Sequence, residues 1–526
     1  FDGGPKRPDP ASRFQPDGVH GPSQVVPREF AWTDSDWQGV PRHSLVIYEL
    51  HIGAFTEAGT FRAAAARLDE LLDLGITAIE LMPVADCAGR WNWGYDGVCL
   101  FAPNRNYGTT DDLKFLINAA HAKGLAVILD VVYNHLGPEG NYLSEAGPYL
   151  STRHSTVWGS APNFDDPEYG SGLRQFFIAN AMTWLDEYHF DGLRVDAIHC
   201  MKDDSECHVI TELSQVVRSW STVAKRPAML IAETNVFDPE MLSPISSGGS
   251  EFDAQWCDDF LHSVFAVVRP GEHLCHRSYE SGADLDQTLR WGYVHEGTLR
   301  EERGRVQPNA PADAGGLIYS IQHHDFIGNH PLGKRLHQLT SVETQRAASA
   351  LLLLSPSIPM LFMGEEFCCE TPFQFFVDFG DADLRTAVVE GRKREYPQHD
   401  WSTGMLPTDA AAFHDSKIGS VLNGDGEMRA WYRDLLTHRK RWVACGILQQ
   451  SHLVVDSCVD QGVFVLRYRT AVRCVTVAVR LSVLAGRDDV CDFTANGELV
   501  LDSCPDQTLL LQLLPNHAKI FLQEFS

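Results

Sequence analysis

An arginine and an aspartate stand two residues apart in Gly192-Leu193-Arg194-Val195-Asp196-Ala197-Ile198-His199, within a run that reads as a buried strand. Side chains alternate along a strand, so Arg194 and Asp196 face the same way. A fixed positive charge beside a carboxylate lowers its pKa and keeps it ionised, the state a carboxylate nucleophile requires. Alone, the pair also fits a structural ion pair. Three further segments bear on the choice: Asp130-Val131-Val132-Tyr133-Asn134-His135, Met229-Leu230-Ile231-Ala232-Glu233-Thr234 and Ile321-Gln322-His323-His324-Asp325. Each carries polar, acidic or histidine residues at or after the C-terminal end of a short apolar run.

Such runs read as strands buried on both faces of a parallel sheet. From Leu45 the chain alternates strand and helix. Strands are expected at 46–50, 76–82, 125–132, 191–195, 228–232, 252–256, 317–322 and 358–362. Helices are expected at 61–74, 111–123, 173–189, 206–221 and 344–354, with Thr110 or Asp111 as N-cap of the second. Eight such units argue for an α/β fold closed into a (β/α)8 barrel, and barrel enzymes carry their catalytic groups at the C-terminal strand ends. Residues 1–43, rich in Pro and Gly, read as an extended N-terminal linker segment. Residues 44–443 are expected to form the barrel with loop insertions. After a helix at 428–442, short β-like runs suggest a small antiparallel C-terminal domain, a β-sandwich over 444–526.

The 526 residues suffice for a barrel plus a small domain. With 43 Lys and Arg against 70 Asp and Glu, the net charge of −27 speaks against nucleic acid or an anionic membrane as partner. Thirteen cysteines, an odd count without CxxC spacing, suggest reduced thiols and a cytoplasmic protein. The adjacent Cys368 and Cys369 read as packing residues. No HExxH or EF-hand pattern marks a metal site. The chain opens without a secretory signal and holds no apolar stretch of spanning length; the best candidate, 347–354, reads as buried helix.

The four chemistry-bearing segments resemble, in order and spacing, the signature regions of the α-amylase family of glycoside hydrolases and transglycosylases. The resemblance runs from about Ser44 to the C-terminus. Narrower motifs are Arg7-Pro8-Asp9-Pro10-Ala11-Ser12-Arg13-Phe14-Gln15-Pro16, Gly18-Val19-His20-Gly21-Pro22-Ser23, Trp93-Gly94-Tyr95-Asp96-Gly97, Asp325-Phe326-Ile327-Gly328-Asn329 and Thr371-Pro372-Phe373-Gln374-Phe375-Phe376. These are similar to the branch that cuts the α-1,4 bond next to the terminal trehalose of maltooligosyltrehalose. That branch implies an α-glucan oligosaccharide with a trehalose end as substrate and a maltooligosyltrehalose synthase as pathway partner. The alternatives are a 1,4-α-glucan branching enzyme with the same fold and triad, or a non-catalytic glucan-binding relative. The resemblance places an N-terminal β-sandwich before a segment like residues 1–43, and that domain is expected to be absent from this chain.

A retaining glycosidase needs two carboxyls about 5–5.5 Å apart, which adjacent barrel strands supply. Asp196 is therefore assigned as nucleophile and Glu233, after apolar Leu230-Ile231-Ala232, as general acid/base. The resemblance gives both the same roles and makes Asp325 a third catalytic acid that grips sugar hydroxyls. It also implies that His135 and His324 bind the same sugar ring and that Tyr95 stacks beneath it. Arg194 and Trp93 join them as substrate-binding residues; Asp130 is expected to support Arg194, and Asn134 to fix loop geometry. His199 departs from the common family pattern, and His323 is expected to point away from the sugar. Recognition of the trehalose side is expected from loops holding Asp258, Asp259, Tyr293 and Phe375. No cofactor or metal is implied.

Overall fold

The computed structural model describes residues 6–308, 310–397, 399–482, 490–505 and 510–525. Eight parallel strands close into a barrel, each paired with its sequence neighbours: β1 (Ile47–Leu50), β2 (Ala78–Leu81), β3 (Ala126–Val131), β4 (Gly192–Val195), β5 (Met229–Glu233), β6 (Ala254–Trp256), β7 (Leu317–Tyr319) and β8 (Ile358–Phe362). β8 returns to pair with β1, in register Ile47 to Met360. The (β/α)8 reading of the sequence is thus the fold of the chain.

The lumen is layered. Ile47, Ala78, Ala126, Ile128, Ile231, Ala254, Ile318, Ile358 and Met360 form one apolar cluster. Two residues further along, the same lumen-facing parity brings Glu49, Glu80, Asp130, Arg194, Glu233 and Trp256. Apolar packing thus supports the strands from below, while charge collects at their C-terminal ends. Gly192 is needed where β4 meets β5: a Cβ there would lie 2.7 Å from the Met229 carbonyl oxygen.

Several expected boundaries move, each for a local reason. The 61–74 helix is two, Phe61–Ala65 and Leu68–Leu74, ended by Gly75 at φ 107°. The 111–123 helix spans Thr110–Ala122 and is capped by Thr109, whose hydroxyl accepts from the Asp112 N–H while Asp112 reaches back to the Thr109 N–H. The helix expected at 206–221 spans Val209–Ala224 because Asp203 accepts the Val209 N–H at 2.6 Å and His208 caps the next. β7 stops at Tyr319, so His324 and Asp325 sit on a short helix, His324–Gly328, above it.

Loops over the strand ends carry a hairpin, Leu150–Thr156 with Gly159–Pro162. After the helix Gly426–Ala444 come strands Leu453–Cys458, Val463–Arg469, Arg473–Arg480, Glu498–Asp502 and His517–Glu524, which form one antiparallel sheet. Of the β-like stretch at 509–514, Gln512–Leu513 is strand, and Leu509 lies outside the described residues. Among the described residues no disulfide is formed, and no helix is long and apolar enough to cross a membrane.

Candidate active site

Asp130 and Arg194 are register partners across β3 and β4, and Val195 and Ala232 are partners across β4 and β5. Asp196 and Glu233 therefore follow side by side, on strands about 4.8 Å apart. One guanidinium joins the three acids. Arg194 Nη1 donates to Asp130 at 2.9 and 2.8 Å and to Asp196 Oδ1 at 2.7 Å, and its Nη2 lies 3.3 Å from Glu233 Oε2. Trp256, from the end of β6, lies over it with Arg194 Cζ 4.2 Å from the ring centre.

The other carboxylate oxygen of Asp196 accepts from Asn134 Nδ2 at 2.7 Å, and Asn134 Oδ1 lies 2.5 Å from His135 Nδ1. Asn134 thus orients the Asp196 carboxylate itself, more than loop geometry alone. Burial pushes the Glu233 carboxyl up to about 8, against the pull of Arg194 and aided by Asp196 and Asp325. It holds its proton at neutral pH, as a general acid must.

A second chain of contacts starts at Glu49 on β1. His324 Nδ1 meets Glu49 Oε1 at 2.5 Å and its Nε2 meets the Tyr95 hydroxyl at 2.8 Å, while that hydroxyl donates to Asp130 Oδ2 at 2.7 Å. His324 is pushed up to about 10, burial being outweighed by Glu49 and Asp325, so it is an imidazolium that donates at both nitrogens. The Tyr95 ring stacks beside His324 at 5.3 Å. Asp325 is half open to solvent and accepts from Asn329 Nδ2 at 3.3 Å.

Asp196, Glu233, Asp325, Tyr95, His135, Arg194 and His324 are thus brought together at the lumen mouth. Trp93 stands behind them: only 2% exposed, it donates to the Gln374 carbonyl and packs edge-on against His324, so it supports the site from below. Asp258 lines a cavity of about 230 Å³ beside Glu233 and Asp325, together with His199, His262 and Tyr396. His323 borders it too, with Nε2 buried 3.4 Å from Asp258 Oδ1. Its Nδ1 accepts the Phe326 N–H, which turns Nε2 toward Asp258.

Asp259 and Tyr293 are not brought to that cavity. Asp259 is buried and accepts from Tyr279, from the Val294 and His295 N–H groups and from the His295 ring. Tyr293 stacks on Phe237 and donates to Glu296. Both fasten the loop behind the site. Phe375 lies at the rim beneath Arg392, whose Cζ is 4.5 Å from its ring centre. Arg392 in turn bonds Asn329, the residue that touches Asp325.

The sequence reading missed Glu49 and Trp256. Glu49 had a signal, an acid inside the apolar run Ile47-Tyr48-Glu49-Leu50. Trp256 had none beyond its place at a strand end. Elsewhere, His154, Asp165 and Asp204 converge as a group that could hold a metal ion. Arg153 already lies 2.7 Å from Asp165 and shares its charge, and the group stands at the base of the hairpin, where Asp165 meets the loop after β4, rather than among Asp196, Glu233 and Asp325.

A family model for the alpha amylase catalytic domain matches residues 24–169. The chain is 41% identical over 442 residues to the malto-oligosyltrehalose trehalohydrolase of Saccharolobus solfataricus, covering 83% of this chain and 76% of that protein. It is 42% identical over 446 residues to the protein of the same name from Deinococcus radiodurans, covering 82% and 72%. A crystal structure described as an α-amylase from Salmonella typhimurium superposes with a TM-score of 0.87 at 34% identity, over 98% of this chain and 88% of that one.

Proposed function

The chain belongs to the malto-oligosyltrehalose trehalohydrolases of the α-amylase family, and from that membership and the carboxyl geometry we propose that Asp196 and Glu233 carry its reaction by double displacement. The protein is a glycoside hydrolase that cleaves maltooligosyltrehalose at the α-1,4 bond beside its terminal trehalose and releases trehalose. The observation that carries the assignment of roles is the single guanidinium of Arg194 held between Asp196 and Glu233, with Glu233 protonated beside an Asp196 fixed at both oxygens.

In the first step an Asp196 oxygen attacks the anomeric carbon, while Glu233 passes its proton to the glycosidic oxygen. The C–O bond breaks, trehalose departs and a glycosyl ester remains on Asp196. In the second, Glu233, now a carboxylate, takes a proton from water. The hydroxide oxygen attacks the same carbon and Asp196 leaves as carboxylate, so the anomeric configuration is retained. Asp325 grips ring hydroxyls of the reacting sugar. Tyr95, His135 and His324 line its binding place, and Arg194 offsets negative charge throughout. Protonation and displacement by carboxyls call for no cofactor.

The trehalose end is assigned to the cavity of Asp258, His323 and Tyr396, because it lies on the leaving-group side, beside the proton donor. A substrate with this end requires an enzyme that makes it, a maltooligosyltrehalose synthase, as the preceding step. Cysteines that form no disulfide among the described residues accord with a cytoplasmic setting. The organisation we assign is a linker over 1–43, the barrel over 44–443 and the β domain over 444–526. Incubation with maltooligosyltrehalose, followed by NMR of the first products, tests the reading. Trehalose together with an α-anomeric maltooligosaccharide is expected. New α-1,6 branches in amylose without trehalose would overturn it.

A further inference from the structure

With trehalose over β5 to β7, the rest of the glucan runs across the opposite side of Asp196, where Tyr95 and His135 stand above β2 and β3. The hairpin of Leu150–Thr156 and Gly159–Pro162 reaches this side. Thr156 pairs with Gly159, so Val157 and Trp158 form a two-residue tip. Such tips ordinarily take Asn-Gly or a similar polar pair, for turn geometry and for water. Here the positive φ, 132°, is taken by Gly159, which leaves the two tip residues apolar.

Trp158 is 45% exposed, and its ring centre lies 4.9 Å from that of His135 at an angle of 30°. His135 touches Asn134, and Asn134 holds the nucleophile. The hairpin is also tied down from below. Asp165 accepts from His154 Nε2 at 2.8 Å, lies 2.7 Å from Arg153 Nη2, and accepts the Asp204 N–H at 3.2 Å from the loop that follows β4. The indole is therefore held in register with Asp196 while much of its surface meets water. Leaving that surface wet is unfavourable, and the C–H face of a glucose ring is the flat apolar surface that would cover it.

We propose that Trp158 is a stacking platform for the glucan arm of the substrate, and that it sets a preference for longer arms. The proposal rests on the trehalose-releasing reading above. The test compares kcat/KM for maltooligosyltrehaloses carrying a short and a long glucan arm, in the wild-type protein, Trp158→Ala and Trp158→Tyr. The long-to-short ratio is expected to fall about three- to ten-fold in Trp158→Ala, through KM, and to be restored in large part by Trp158→Tyr. Val157→Ser, at a side chain 84% exposed, is expected to leave the ratio as it is. If Trp158→Ala releases trehalose with the wild-type ratio, the platform is overturned while the function stands. If the wild-type protein releases no trehalose at all, the reading beneath the proposal falls, and the proposal with it.

Discussion

The backbone N–H of Ala197, the residue after Asp196, donates to Oε2 of Glu233 at 2.5 Å. Ala197 holds a left-handed conformation, φ 38°, which a residue with a Cβ adopts at a cost of about 1–3 kcal/mol. It stands between the end of β4 at Val195 and the 3-10 turn Ile198–Cys200. The Glu233 carboxyl is thereby located by the backbone next to Asp196 as well as by its own strand.

Glu233→Gln keeps an oxygen for that N–H and removes the proton. With maltooligosyltrehalose, kcat is expected to fall about 10²–10⁴-fold. A glycoside whose aryl leaving group needs no protonation is expected to recover most of the loss in the first step. An equal loss on both substrates would place Glu233 in another role.

Because Glu233 must enter the reaction protonated and its pKa stands at about 8, kcat/KM is expected to hold through neutral pH. Above that pKa it should decline about tenfold per pH unit as the acid form is depleted. A profile already falling between pH 5 and pH 7 would contradict Glu233 as the acid.

Asp196→Asn removes the attacking oxyanion but leaves Arg194 bound to Asp130. Turnover is expected to drop at least about 10⁴-fold, with circular dichroism unchanged. Residual activity near wild type would refute the nucleophile.

Glu49→Gln breaks a fully buried ion pair with His324, at an expected cost of about 3–5 kcal/mol in urea unfolding at neutral pH. The sign of its pH dependence follows from both partners. His324 is raised from 6.5 to about 10, so its contribution is complete below 6.5 and lost as pH rises through 10. Glu49 is lowered from 4.5, so its contribution is present above 4.5 and lost as pH falls through the lowered value. The gap between wild type and variant should be widest from about pH 4.5 to 6.5. A gap that does not change with pH would show that the cost comes from packing alone.

Trp256→Leu removes the aromatic face over Arg194, whereas Trp256→Phe keeps one. The Leu variant is expected to lower kcat by about tenfold through displacement of the guanidinium, with Phe close to wild type. Equal effects of Leu and Phe would assign Trp256 to packing alone.

The barrel was legible because its signal is local. Apolar runs followed by acids recur at β3, β4 and β5, and their side-chain parity is set by the pleat alone. Asp196, Glu233 and Arg194 could be placed from that parity and the order of strands. Glu49 carried the same kind of signal, an acid in an apolar strand, yet it lay before the first recognisable segment. Asp259 shows the opposite limit. Its acid-rich loop suggested sugar binding, but its oxygens are taken by donors twenty or more residues further along the chain. His323 meets Asp258 because it caps a short helix where a longer strand is expected. Trp158 carried no signal, since its meaning depends on where a hairpin tip comes to rest.

The shared guanidinium has a consequence in time. While Asp196 is an anion, its repulsion helps keep the proton on Glu233. In the double displacement proposed above, once Asp196 carries the sugar as an ester, that charge has gone, and Arg194 still faces the other carboxyl. Glu233 then parts with a proton more readily, at the moment when the proton has just been spent and a base is wanted. When water frees the sugar, the charge on Asp196 returns and the proton is drawn back. The order of the two half-reactions is thus kept by the charge on one residue, and each turnover resets it.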